Sequence, residues 1–209
     1  MTAKTHPPSA PVTGPLDAIQ RQCGATMVPR GGRWVAAHFG SPTSETAVCL
    51  STVGLADRFD RTTLELRGAP VSIEAALELA SLGGEDVGGA QVGPRDAIVR
   101  CDDADREWCL TTLPSTGVAI EITERFAAIE LIGPRAAQLI RAAMIELPDR
   151  MVTAIALETD TYELLIDRED GPELWRCLLT AGASVSVACV GLDALTQLAA
   201  ARQHRRRRC

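Results

Sequence analysis

Two stretches of this chain are built to one plan, and that repetition constrains the fold more than any other feature. Thr63-Leu-Glu-Leu-Arg-Gly68 and Ala128-Ile-Glu-Leu-Ile-Gly133 run strand-forming residues in the same order into a glycine, 65 positions apart (128 − 63), and each leads into a helical segment. In the first, Thr62, Leu64 and Leu66 alternate with Thr63, Glu65 and Arg67, the period of a half-buried strand. After the second, Ala136, Leu139, Ile140, Ala143 and Met144 fall on one helix face, and Pro134 stands at the start, where a missing amide costs nothing. Two similar βα units, near residues 62–80 and 126–144, predict two similar lobes around a shared core.

The remaining pattern supplies more strands than βαβ alternation needs. Leu16, Ile19, Gln20 and Cys23 have helical spacing, a Gly31–Gly32 turn leads into a strand around Trp34–Ala36, and Ser44 is the expected N-cap of a helix reaching Thr52. Asp96–Arg100, Glu107–Leu113 and Val118–Thr123 read as strands, and Val152–Leu157 with Tyr162–Ile166 as a hairpin. Helices follow at Pro172–Ala181 and Gly191–Gln203, with a short strand at Val185–Ala188 between them. The expectation is an α+β fold of two intertwined lobes with mainly antiparallel sheets. Residues 1–14, rich in Pro, Ser and Thr, are expected to be a flexible leader, 15–203 the folded domain and 204–209 a basic tail.

Several chemistries are excluded at this level. The formal charge is −6, and without Arg205, Arg206, Arg207 and Arg208 it would be −10 (−6 − 4). An acidic body with seven aromatic residues repels phosphate backbones and offers few stacking platforms, so no nucleic-acid partner is expected. No apolar run reaches the length that crosses a bilayer and no secretory h-region opens the chain, so a cytoplasmic protein without a membrane partner is expected. The seven cysteines (Cys23, Cys49, Cys101, Cys109, Cys177, Cys189 and Cys209) form no CxxC and sit mainly among apolar neighbours, as packed thiols do. With three histidines, a His-based centre would have to use His38. Asp102, Asp103 and Asp105 lack the glycine and glutamate of a calcium loop and read as a hairpin turn.

Three stretches taken together resemble the folate-binding region of the aminomethyltransferase (glycine cleavage T-protein) family and the gamma subunit of heterotetrameric sarcosine oxidase. The first runs from Pro15-Leu-Asp-Ala-Ile through Gly24-Ala-Thr-Met-Val-Pro, Gly31-Gly-Arg-Trp34 and Val53-Gly-Leu-Ala-Asp57 to Leu64-Glu-Leu-Arg-Gly68. The second is Ile122 to Gly133-Pro134-Arg135-Ala136. The third runs from Tyr162-Glu-Leu-Leu-Ile166 through Leu174-Trp175 and Ala181-Gly182 to Gly191-Leu192. The resemblance implies two α+β lobes around a folate cavity. It places Glu163, after Tyr162, at the family's pterin-reading glutamate, where a carboxylate accepts two ring N–H donors. It places Asp86, in Gly83-Gly84-Glu85-Asp86-Val87, at the family's acidic catalytic position. The alternatives are solvated carboxylates: Glu85 and Asp86 in a Gly-rich turn, Glu163 on the outer face of an alternating strand.

The departures are as informative. The family's Gly-Tyr-Thr-Gly-Glu loop is replaced by Leu157-Glu-Thr-Asp160, its arginine is missing from Asp193-Ala194-Leu195-Thr196, and its carboxyl-terminal barrel is absent. The resemblance therefore implies a small, non-catalytic folate-fold subunit of a sarcosine oxidase-like complex. That subunit would assist one-carbon transfer to tetrahydrofolate beside flavin-containing oxidase subunits. The alternatives are a stand-alone tetrahydrofolate-dependent aminomethyl or methyl transferase using Asp86 and Glu163, and a scaffold that keeps the fold without folate.

Overall fold

Two sheets face one another, and each carries its helices on the outside. In the structure, a computed structural model describing residues 10–82, 87–113, 118–146 and 152–206, the larger sheet has the order β11-β3-β8-β10-β9 and the smaller β5-β6-β4-β7. The larger joins β3 (Val53–Asp57), β8 (Phe126–Ile132), β9 (Thr153–Glu158), β10 (Thr161–Asp167) and β11 (Val187–Cys189), antiparallel except for the parallel β11–β3 pair. The smaller joins β4 (Thr62–Arg67), β5 (Gly88–Gly93), β6 (Asp96–Cys101) and β7 (Val118–Glu121), antiparallel throughout. A separate hairpin pairs β1 (Thr26–Arg30) with β2 (Arg33–His38). The class is α+β with antiparallel sheets, as the sequence pattern implies.

The repeated units sit in equivalent places. β4 and α3 (Pro70–Leu82) belong to the small sheet's lobe, β8 and α5 (Ala136–Glu146) to the large one's. Leu64 and Leu66 point into a core with Ile73, Ala76 and Ala80 of α3. Their counterparts Ile129 and Leu131 point into a core with Ala136, Leu139 and Ala143 of α5, joined by Leu174, Trp175 and Leu178 of α6 (Gly171–Ala181). The intervening positions turn inward, where Ile98, Ile122, Ala128, Ile155 and Leu165 form an apolar layer between the sheets. Cys49, Ala56, Ile132, Val190, Ala194 and Leu198 seat α2 (Pro42–Ser51) and α7 (Leu192–Arg206) on the large sheet. α1 (Asp17–Gln22) adds Leu16 and Ile19 to the main core.

Four local expectations change. The N-cap of α2 is Ser41, three residues before Ser44, because Pro42 fits the first helical position and the Ser44 amide donates to Ser41 Oγ at 3.3 Å. Glu107–Leu113 is no strand: α4 (Arg106–Thr112) and its C-cap residue bury Cys109 and Leu113, four positions apart, against the small sheet's core. An apolar run this short does not distinguish the two periods by itself. The three aspartates 102, 103 and 105 accordingly form the turn into α4 rather than a hairpin. β5 has no side-chain pattern because it is Gly-rich, and Gly89 lets α3 pack close: a Cβ would lie 2.6 Å from Leu77 Cδ2 of α3. Within the amino-terminal stretch, Val12 pairs with β2, its amide donating to the Gly32 carbonyl at 2.8 Å and its carbonyl accepting from Trp34 at 2.9 Å.

Gly133 closes the second repeat with φ +136°, and a Cβ there would meet the Thr52 carbonyl oxygen at 2.4 Å and that of Cys49 at 2.8 Å. Both neighbours are backbone and cannot swing aside. Gly133→Ala is expected to lower stability by about 2–4 kcal/mol, read from urea midpoints, with an unchanged slope.

Candidate functional site

β10 presents its side chains alternately to the two layers it separates. Tyr162, Leu164 and Ile166 face the helices and join the main core. Glu163 and Leu165 face the small sheet. Glu163 is therefore not solvated: it is 1 % exposed, between sheets. Tyr162, half-buried on the opposite face of the strand, is not brought together with it. Asp86 and Glu85 lie outside the described residues.

Arg100 of β6, 2 % exposed, meets Glu163 from the facing sheet. Its Nη2 donates to the Arg58 carbonyl at 2.9 Å and lies 2.8 Å from Glu163 Oε1, while Nη1 donates to Thr63 Oγ1. The approach to Glu163 has the distance of an ion pair without the alignment of a hydrogen bond. Among the described residues, neither Glu163 oxygen accepts a hydrogen bond and Arg100 Nε donates none. A carboxylate can accept about four hydrogen bonds, so this one keeps its acceptor capacity unused in the interior.

More buried charges stand alongside. Arg58 grips Asp60 with Nε and Nη2, at 3.0 and 3.2 Å, and turns Nη1 to Glu130 of β8. Arg61 Nε lies 3.2 Å from Asp102. At the end of β3, Asp57 Oδ1 accepts from the Phe59 amide at 3.0 Å and Oδ2 from Gln20 Nε2 of α1 at 2.8 Å. Burial opposes the charge on Arg58, but Asp60 and Glu130 outweigh it and hold the guanidinium well above its usual range. Burial likewise opposes ionised Asp60, yet Arg58 prevails and pulls its carboxyl down. Arg100 shows the reverse balance. Burial, aided by Arg61 and Arg58, lowers its pKa despite Glu163. Asp57 is pushed up to about 7, by burial first and by Asp60 second.

The Cys49 thiol is pushed up to about 12 by burial, which makes it a poor nucleophile at neutral pH. Cys101 and Cys109 are fully buried in the small sheet's core. His38 is half-buried and uses Nδ1 to accept from the Gly40 amide at 3.2 Å. Among the described residues no group of His, Cys, Asp and Glu could hold a metal ion, and no helix is long and apolar enough to cross a membrane. Sequence reasoning missed Arg58, Asp60, Arg100 and Glu130. Their signal was present: Arg100 follows Ala97-Ile-Val and Glu130 interrupts Ile129 and Leu131, charges within strands that are otherwise apolar.

No protein-family model and no curated protein matches the sequence. Solved structures do match the fold. Glycine cleavage system aminomethyltransferase T from Bartonella henselae superposes with a TM-score of 0.69 at 15 % identity, over 88 % of this chain and 61 % of that one. The heterotetrameric sarcosine oxidase from Corynebacterium sp. U-96, solved with pyrrole 2-carboxylate, matches with a TM-score of 0.50 at 17 % identity, over 70 % of this chain and 93 % of the matched chain. The chain thus spans about three fifths of the aminomethyltransferase's length, and at such identities the likeness establishes the shared fold.

The raised Asp57 pKa carries a signed consequence for stability. A carboxyl near 3.9 when unfolded and about 7 when folded binds more protons in the folded state between those values, so its contribution is complete below pH 4 and is lost as pH rises through 7. Asp57 is half-buried as a residue, so solvent screening reduces the effect to roughly 1–3 kcal/mol. Asp57→Asn is expected to gain on the wild type by that amount between pH 4 and 8, with the Gln20 amide, whose Oε1 lacks a donor among the described residues, turning to accept from the new Nδ2. Urea unfolding across this range checks it, and a constant difference between the two proteins would refute it.

Proposed function

We propose that the chain is a small folate-fold subunit of a heteromeric, sarcosine oxidase-like complex that oxidises an N-methyl amine and passes the one-carbon unit to tetrahydrofolate. A flavin-carrying partner performs the oxidation, and this chain lines the position where the folate is held. The observation that carries the reading is Glu163, a carboxylate buried on a central strand of the aminomethyltransferase fold with both oxygens free of hydrogen bonds among the described residues. Such a group suits the paired N–H edge of a pterin, a ligand that brings two donors in one plane. The fold's correspondence with nearly all of a chain from a heterotetrameric sarcosine oxidase supports the subunit role. Asp86 is a further proposed contact of the folate, as its acidic catalytic neighbour, whereas Tyr162 faces the helices and takes no part in this reading, and the complex is proposed to be cytoplasmic.

A second reading is favoured by one observation. Arg100 already stands 2.8 Å from Glu163, as expected of a scaffold that keeps the fold and acts through protein contacts alone.

The test is to isolate the tagged chain from its native cells and assay what accompanies it. The expected complex carries bound flavin and oxidises sarcosine-type amines, yielding methylene-tetrahydrofolate when tetrahydrofolate is supplied. With Glu163→Gln it should release formaldehyde instead, because the loss of a charged hydrogen bond, about 1.5–3 kcal/mol, weakens folate binding roughly 10- to 100-fold. A chain that elutes without flavin or amine oxidation would overturn the subunit reading.

A further inference from the structure

The structure assigns to Arg100 the role of an internal occupant: in the free chain its guanidinium stands where a ligand's planar N–H donors would meet Glu163, and so decides whether that position takes a ligand. The inference rests on reading Glu163 as the ligand carboxylate and adds what controls access to it.

A guanidinium serving as the permanent partner of a carboxylate engages it through two parallel N–H···O bonds. Arg100 does not. Its Nη1 is committed to Thr63 Oγ1 and its Nη2 to the Arg58 carbonyl, so Glu163 receives proximity and charge but no aligned donor. Both carboxylate oxygens and Arg100 Nε are left without hydrogen bonds among the described residues, although the two side chains are only 1 % and 3 % exposed. Unpaired buried polar atoms are costly and uncommon in folded proteins. Here the two side chains that carry them meet across the gap between two sheets, Glu163 on β10 and Arg100 on β6, beside an apolar layer that includes Ile98 and Leu165.

Truncating Arg100 at Cβ would leave a hole of guanidinium size bordered by Glu163, Thr63 Oγ1 and the Arg58 carbonyl. All three are acceptors. The occupant they select is a small planar donor: the guanidinium ion itself, or a neutral ring with a guanidine-like edge such as a 2-aminopyrimidin-4-one. A compact ammonium ion, whose donors do not lie in a plane, fits this set poorly.

The experiment compares wild type, Arg100→Ala and Arg100→Ala/Glu163→Gln by thermal unfolding, in guanidinium chloride on the order of 20 mM, far below denaturing concentrations, and in ammonium chloride of equal ionic strength. Guanidinium should raise the Tm of Arg100→Ala by at least about 3 °C over ammonium and leave the other two proteins unmoved. An equal response in all three, or none in Arg100→Ala, would overturn the assignment. If Arg100→Ala does not fold unaided, refolding yield becomes the readout. Guanidinium-dependent recovery supports the assignment. No recovery, with the double variant folded, overturns it. An anaerobic calorimetric titration with tetrahydrofolate separates the two proposals. Affinity at least about 10-fold tighter in Arg100→Ala than in the wild type supports both. A guanidinium response without tetrahydrofolate binding upholds the role of Arg100 and counts against folate as the ligand.

Discussion

The fold is organised around charges that two sheets bury between and beside them. Removing an ion from water costs several kcal/mol even after relaxation, and attraction to a partner offsets this only when geometry and hydrogen bonds are right. Arg58 meets that condition. It bonds Asp60 twice and reaches Glu130, tying the β3–β4 connection to the centre of the large sheet. Arg100 and Glu163 meet it only in part: they approach to 2.8 Å, yet Arg100 Nε and both Glu163 oxygens are left without hydrogen bonds among the described residues.

These charges also fix how the sheets face one another. An apolar layer of Ile98, Ile122, Ala128, Ile155 and Leu165 would tolerate sliding, since dispersion and burial are non-directional. Arg100 against Glu163 and Thr63 does not slide, because a guanidinium buried without its acceptors is strongly unfavourable. Close by, Asp57 stands against Gln20 and Asp60, where its protonation is coupled to the end of α1. Register and site are thus consequences of one set of side chains.

Much of the fold was legible in the sequence. The alternation of Leu64 with Glu65 and of Ile129 with Glu130, and the helical spacing of Ala136, Leu139 and Ala143, give the two βα units directly, because burial on one face leaves a periodic trace. The segment at 107–113 was misread because seven residues do not separate two periods, and β5 was missed because its glycines carry no side-chain pattern. Of the site, Glu163 could be proposed from resemblance. Whether it faced solvent or interior could not be read from β10, since Tyr162, Leu164 and Leu165 are apolar on both faces.

By itself the sequence determined an α+β chain with repeated strand–helix units and a carboxylate at Glu163, because periodicity and residue chemistry are local properties. Tertiary structure alone decided that Arg100, 63 positions away (163 − 100), would be its neighbour, and that Arg58 would join Glu130. The reason is physical: local pattern settles which face of a strand is buried, whereas the charge that shares that burial is settled by which strand packs opposite, and no local pattern encodes it.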